Sequence, residues 1–306
     1  MPLWYGEAAN QTTPAIRHGG SCDCPDELMK TLMPTVAFLG PEGTFAHLAA
    51  QKRFEDQARL LAQPTIPDVF EAVTMNRASL GIVPIENSSG GTIYETLDQL
   101  VNEKNKLIVQ ESLSINVRLA LIGKDKTEIR TIYSHPAPLH YCGEWLKEKF
   151  PQVEIVEQLS TTTAAQKAAA TPHSAAIASR DSAKRYGLKV LEFPIGDGMK
   201  NVTQFFVLGR DHVVSPENTK TSIVFTLPNR PGSLYDILTP FKEEEVNLTR
   251  IISRPIEGHP DSYIFLVDVA GTQRQANVKG ALEKASKIAS MIKNIGSYPV
   301  RKAYDS

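Results

Sequence analysis

Short apolar runs closed by polar turns recur along the first two thirds of this chain, and no other feature narrows its fold as much. Residues 36–39 end at Gly40-Pro41-Glu42-Gly43-Thr44-Phe45, and residues 80–85 end at Glu86-Asn87-Ser88-Ser89-Gly90-Gly91. A third turn, Asn201-Val202-Thr203-Gln204, leads directly into the apolar run 205–209. Such runs fit strands buried on both faces. Helical patterns lie between them, at 45–54, 68–76 (Val69, Phe70 and Val73 on one face) and 93–101. Strands alternating with helices predict a largely parallel α/β sheet. Ligands of such sheets sit beyond the strand ends, so three polar turns at strand ends predict one cleft.

A second α/β unit follows. Residues 111–122 alternate as one long strand, with Leu113, Ile115, Val117, Leu119 and Leu121 on one face. A short strand at 131–133 leads into Ser134-His135-Pro136 and a helix over 138–149. Strands are expected at 153–157, 175–179 and 190–193, with helices at 163–170 and 182–187. Residues 211–220 read as a linker. Beyond it the order is strand 223–227, helix 234–244, strands 246–253 and 262–270, helix 275–292 and strand 298–300. That is βαββαβ, the ferredoxin-like arrangement.

A chain of 306 residues suits two or three domains. It carries 33 basic and 34 acidic side chains, so no basic excess favours nucleic acid and a small molecule is the default partner. No apolar run is long enough for a membrane span. The first thirty residues include Glu7, Asp23, Asp26 and Glu27 and do not read as a signal peptide. Three cysteines, Cys22, Cys24 and Cys142, are a sparse, odd set that points to a reducing compartment, the cytoplasm. Cys22 and Cys24 have too few partners for a zinc site. The stretch 1–33 lacks periodicity and is expected to be disordered or loosely packed.

Several polar residues carry candidate chemistry. Glu86 can orient a hydroxyl or act as acid or base, while Asn87 and Ser88 can line a cleft or simply cap the helix near Ile93. His135 can hold an anion or move a proton, or serve as a structural hydrogen-bond partner. Ser160 and Thr161 open a helix whose free N–H groups can hold a carboxylate, or only cap it. Thr203 can donate to a departing oxygen with Asn201 steadying it, or can be a strand threonine. The turn 40–44 lacks the Gly-Lys-Ser/Thr of a phosphate loop, which argues against nucleotide binding.

Together these stretches resemble prephenate dehydratase followed by a C-terminal ACT regulatory domain, over about residues 35–300. The motifs that carry the resemblance are Gly40-Pro41-Glu42-Gly43-Thr44-Phe45, Pro84-Ile85-Glu86-Asn87-Ser88, Ser134-His135-Pro136, Ser160-Thr161 and Asn201-Val202-Thr203. Further on, Arg230-Pro231-Gly232-Ser233-Leu234 and Ser253-Arg254-Pro255 resemble the family's effector loops. The resemblance implies a two-lobed, periplasmic-binding-protein-like α/β catalytic domain over 34–212. Its lobes would be 35–110 plus 192–212, and 111–191. A linker at 213–220 and an ACT domain over 221–306 would follow.

By the same resemblance the reaction is prephenate to phenylpyruvate, with loss of water and carbon dioxide and without metal or organic cofactor. Thr203, Glu86 and His135 would be catalytic. Thr44, Asn87, Ser88, Ser134, Ser160, Thr161, Asn201, Gln204 and Phe205 would bind substrate. A phenylalanine effector would meet Gly232, Ser233, Leu234, Asn247, Leu248, Ser253 and Arg254, and ACT domains would pair the chain into a homodimer or homotetramer.

The chain departs from the family at three places. Gln204 stands where the family usually has arginine, Ala137 where it often has glutamine, and Ile252 where it has glutamate. Arogenate dehydration and non-aromatising prephenate decarboxylation are alternative activities. A non-catalytic amino-acid sensor is the alternative of another class.

Overall fold

The computed structural model describes residues 33–306 except 103, 197, 199, 213, 214, 218 and 257, and the side chains of 259 and 260. The expectations for 1–32, including Cys22 and Cys24, fall outside the described residues. The chain builds a first lobe from β1 (Thr35–Leu39), α1 (Phe45–Phe54), β2 (Arg59–Gln63), α2 (Ile66–Thr74), β3 (Leu80–Asn87), β4 (Gly91–Thr92), α3 (Tyr94–Val101) and β5 (Ile108–Asn116). A second lobe follows with β6 (Leu119–Gly123), β7 (Thr131–Ser134), α4 (Pro136–Tyr141), α5 (Gly143–Lys149) and β8 (Glu154–Glu157). It is completed by α6 (Thr161–Ala170), β9 (Ser174–Ala178), α7 (Arg180–Arg185) and β10 (Lys189–Ile195). The chain then returns to the first lobe as β11 (Val202–Gly209). The C-terminal unit is β12 (Lys220–Thr226), α8 (Ser233–Glu243), β13 (Leu248–Ile256), β14 (His259–Ala270), α9 (Ala276–Ala285) and β15 (Met291–Tyr298), and β16 (Tyr304–Asp305) returns to the first lobe.

The first sheet runs β16-β5-β11-β3-β1-β2, with β1 parallel to β2 and β3, and β11 antiparallel between β3 and β5. The second runs β10-β6-β9-β7-β8. Helix starts follow local chemistry. The hydroxyls of Thr44, Thr65 and Ser160 each accept the N–H three residues on, at the heads of α1, α2 and α6. Gly43 has φ +95°, which a residue with a side chain rarely adopts, so the turn from β1 into α1 needs a glycine.

Four elements differ from the sequence reading. The alternating run 111–122 is two strands in two sheets, broken at Val117-Arg118. The alternation persists across the break, which hides it. Here the Val117 N–H donates to the Asn201 carbonyl at 2.7 Å, so the two interlobe crossings lie side by side. The lobe boundary therefore falls after Asn116, and Lys189–Ile195 belongs to the second lobe. The helix at 138–149 is two, separated at Cys142. Arg59–Gln63 is a strand without strong alternation of its own, held by parallel pairing with β1. The run 275–292 is a helix that stops at Ala285 and a strand that starts at Met291. Apolar Ile288 and Ile292 keep a helical spacing through the turn.

The C-terminal sheet has the order β13-β14-β12-β15. One face, with Ile223, Phe225, Val267 and Val269, packs on Ile237 and Phe241 of α8 and Val278 and Ala281 of α9. The other face packs on the first lobe, where Val224, Leu266, Ile295 and Tyr298 join Val109, Phe206 and Leu208 in one core. The Tyr298 and Phe206 rings meet edge-on at 5.7 Å. Gly296 lies so close to the Val109 backbone that a Cβ there would overlap it. Burial of a large apolar side chain contributes about 1.5–3 kcal/mol, so this shared core anchors the C-terminal unit to the strands that carry the site.

Candidate active site

A cleft of about 690 Å³ opens between the two lobes. Its floor is Asn87, Asn201 and Thr203, and Phe45, Pro84, Ile93, Val117 and Phe205 give it apolar walls. Across from the floor stand His135, Ala137, Ser160, Thr161 and Thr163. The walls suit a planar or near-planar ring, and the floor supplies hydroxyl and amide groups.

Asn87 is the hub of the floor. Its Oδ1 accepts the backbone N–H groups of Ser89 (2.9 Å) and Gly90 (2.8 Å). Those two donors fix the amide orientation, so its Nδ2 donates to Asn201 Oδ1 and Thr203 Oγ1, both at 2.8 Å. Thr203 Oγ1 thus serves as an acceptor, and its own O–H is left to donate into the cleft. A hydroxyl that accepts a hydrogen bond is polarised into a better donor. Thr203 is 9% exposed, so its side chain is held by its surroundings with only its cleft-facing side open.

Ser88 staples the floor from below. Its hydroxyl donates to the Lys200 carbonyl and accepts the Val202 N–H, each at 2.9 Å. That holds the start of β11 against the end of β3. Neither Asn87 nor Ser88 caps α3, whose N-cap residue Ile93 makes no side-chain cap bond.

His135 caps α4, its Nδ1 accepting the Ala137 N–H at 3.2 Å. The accepting nitrogen cannot carry the hydrogen, so Nε2 does, and the ring is a neutral donor. Burial pushes its pKa below the usual histidine range, against the charge of Glu157. Two ten-residue helices also start at the cleft, α1 from the first lobe and α6 from the second. First-turn N–H groups have no intrahelical partner and carry positive partial charge, so each helix start suits a carboxylate. Apart from the neutral His135, no residue lining the cleft has an ionisable side chain.

The structure brings Thr44, Asn87, His135, Ser160, Thr161, Asn201, Thr203 and Phe205 to this one cleft. It does not bring Glu86, Ser88, Ser134 or Gln204 to it. Ser134 is fully buried, its hydroxyl donating to the Ile177 carbonyl at 2.7 Å. Glu86 and Gln204 face the other side of the sheet, where Glu86 Oε2 lies 3.0 Å from Arg250 and Gln204 donates to Ser112 Oγ at 2.7 Å.

A bulge is the reason. Gln204 pairs with Glu86 but Phe205 pairs with Pro84, leaving Ile85 extra in β3. Counted by twos from Pro84, Glu86 would enter the cleft, and the extra residue inverts that and sends Asn87 in instead. The Gln204 departure from the family motif therefore does not touch the cleft, whereas Ala137 lines it.

Sequence reasoning missed Gln63 and Pro64 as lining residues. Gln63 and Pro64 end a strand it did not see. Thr163, three residues after the Ser160 cap, was legible as a first-turn residue of α6.

The expected effector residues divide. Gly232, Leu234, Asn247 and Ser253 are exposed. The hydroxyl of Ser233 donates to the Pro228 carbonyl at 2.7 Å, and Leu248 packs into the core beneath the helices. Arg254 turns to the first lobe, 2.8 Å from Asp98 and over the Tyr94 ring. Successive residues of a strand face opposite ways, so Ser253 and Arg254 cannot share one site.

Comparison with known proteins agrees with this architecture. A prephenate dehydratase family model matches residues 36–213 and an ACT domain model matches residues 221–287. A bifunctional chorismate mutase/prephenate dehydratase of Pseudomonas aeruginosa is 36% identical over 265 residues, 86% of this chain and 73% of that protein. A prephenate dehydratase of Methanocaldococcus jannaschii is 35% identical over 271 residues, 87% of this chain and 98% of that one. The crystal structure of an Arthrobacter aurescens prephenate dehydratase in complex with L-Phe superposes with a TM-score of 0.79 at 30% identity, over 87% of this chain and 90% of that one.

Proposed function

This chain belongs to the prephenate dehydratase family, and on that premise we propose that it converts prephenate to phenylpyruvate, water and carbon dioxide. The observation that carries the reading is the Asn87 amide donating to Thr203 Oγ1, which leaves the threonine hydrogen for the substrate. Prephenate's ring is one step from aromatic. As the bond from ring carbon to carboxylate breaks, its electron pair enters the ring and carbon dioxide leaves. The carbon–oxygen bond at the far end of the ring then breaks, and the oxygen departs as hydroxide, hydrogen-bonded by Thr203, and becomes water with a proton drawn from solvent. A positioned donor to such developing charge contributes about 3 kcal/mol, roughly a hundredfold in rate.

The remaining roles follow from the same chemistry. Prephenate carries two carboxylates, and the starts of α1 and α6 offer one N–H cradle from each lobe. His135, neutral, donates from Nε2 rather than supplying charge. The apolar walls exclude water from the ring. Glu86 has no part in this reaction scheme.

Regulation and assembly belong to the same proposal. A phenylalanine-class effector would bind at the exposed Gly232 and Leu234 beside the start of α8 and at the outward face of β13, where an ACT domain of a second copy would pair. β13 is an edge of its sheet, and Ile251 on it and Tyr263 on the neighbouring β14 are 48% and 45% exposed. Sparse cysteines fit a cytoplasmic enzyme, and among the described residues no helix is long and apolar enough to cross a membrane.

Incubating the purified chain with prephenate and identifying the product tests the reading. An aromatic keto acid supports it. A non-aromatic dihydro product would instead assign a decarboxylase. An inert protein that still binds phenylalanine would assign a sensor. Parallel assays with arogenate decide between the keto and amino substrates.

A further inference from the structure

Directly behind the cleft floor lies a polar cluster that the reaction does not use. Arg250 of β13 has a side chain 8% exposed. Its guanidinium sits 3.0 Å from Glu86 Oε2 on β3, donates to Gln204 Oε1 on β11, and sits 3.3 Å from Asp268 Oδ2 on β14. Gln204 continues to Ser112 Oγ on β5 at 2.7 Å. Asp268, fully buried, also takes the Ser222 hydroxyl of β12, which meets the Tyr298 hydroxyl of β15 at 2.5 Å. Lys220 of β12 adds a second cation 3.7 Å from Asp268 Oδ2. Only Arg250 reaches across, so its network connects all four strands of the C-terminal sheet to three strands of the first lobe.

The contacts fall next to the chemistry. Glu86 and Gln204 are the chain neighbours of Asn87 and Thr203, and they are a directly opposed pair in the β3–β11 ladder. The bulge at Ile85 is what turns them toward Arg250 while Asn87 and Thr203 face the cleft. A planar guanidinium can serve several acceptors at fixed angles, which a lysine ammonium cannot.

We infer that Arg250 is a positioning residue: through Glu86 and Gln204 it sets the geometry of the Asn87–Thr203 pair, so that the C-terminal sheet and the cleft floor move together. The inference rests on the reading of Thr203 as the catalytic donor. Its physical core, a clamp from one domain on the two strands of another, does not depend on the substrate. Displacement of the C-terminal sheet, by an effector or by a neighbouring copy, would reach turnover through this link.

Removing the charge outright would leave the buried Asp268 carboxylate with only Lys220, 3.7 Å away, to balance it, so the test uses milder variants of the full chain. Arg250→Lys keeps a cation, and Gln204→Leu leaves Arg250 beside Asp268. For each, and for the double variant, kcat and KM with prephenate are measured together with hydrogen exchange of peptides spanning 84–90 and 202–206. Each single variant is expected to lower kcat about tenfold with KM changed less than about twofold. Exchange should quicken in those two peptides and not in β1, and the double variant should be no worse than the worse single, because one link is cut twice. Unchanged kcat and exchange in both folded variants would overturn the inference, as would losses that multiply in the double variant. If wild type does not turn over prephenate, the proposed reaction fails, and the pattern of exchange decides the clamp by itself.

Discussion

The two faces of the β3–β11 strand pair are built on different principles. Toward the cleft stand Asn87, Asn201 and Thr203, uncharged and joined by 2.8 Å hydrogen bonds. Toward the C-terminal sheet stand Glu86 and Gln204, held by the guanidinium of Arg250. Neutral donors on the cleft face can follow charge that appears only during reaction, without attracting counter-ions beforehand. Charge on the back face is matched by charge from another domain, which locks position. One residue of bulge separates chemistry from anchorage.

That contrast predicts unequal consequences for substitutions on the two faces. Asn87→Ala removes the group that orients Thr203 and leaves two backbone N–H groups without their acceptor. It is expected to lower kcat about a hundredfold and stability by about 1–3 kcal/mol, read from steady-state kinetics and denaturant titration. A variant that keeps its rate would show that Thr203 orients itself.

Ser160→Ala should act on binding instead. It removes the cap of α6 and should raise KM about tenfold and cost about 1 kcal/mol of stability, with kcat changed little. A kcat loss with KM intact would move Ser160 from carboxylate binding into the chemical step.

The third test uses pH. Burial holds His135 below its usual pKa, so the folded chain binds its proton later than the unfolded chain does. That contribution to stability is full above the unfolded histidine pKa of about 6.5 and declines as pH falls below it. His47, buried and also lowered, has the same sign. His135→Asn keeps a helix cap and should flatten part of the acid-side loss in thermal melts between pH 8 and pH 5. An unchanged slope would assign the acid sensitivity elsewhere.

The smallest effect belongs to the domain contact at Arg254 and Asp98, whose side chains are partly exposed. Arg254→Ala should cost less than about 1 kcal/mol, well under any cut in the Arg250 cluster. A larger loss would mean that the anchorage is spread across the interface rather than centred on Arg250.

The strands and helices that carry the cleft were legible where apolar runs met polar turns, as at residues 36–45 and 201–209. Ser160 caps α6, one of its two readings, although the helix starts two residues earlier than its pattern predicts, and Thr203 with Asn87 emerged from the polar turns. The facing of Glu86 was not legible. A period-two count from Pro84 puts it in the cleft, and only pairing with β11 reveals the extra residue at Ile85. Nor was Arg250 legible, since its partners lie far away in sequence and come from another domain. The interlobe crossing at Val117 was hidden because alternation continued through two strands that belong to different sheets.

The most direct test is Thr203→Val, which removes the hydroxyl and keeps the shape. Phenylpyruvate formation should fall about a hundredfold or more while the melting temperature stays within a few degrees of wild type. A folded valine variant that turns over prephenate at the wild-type rate would contradict the assignment of this hydroxyl as the donor to the departing oxygen.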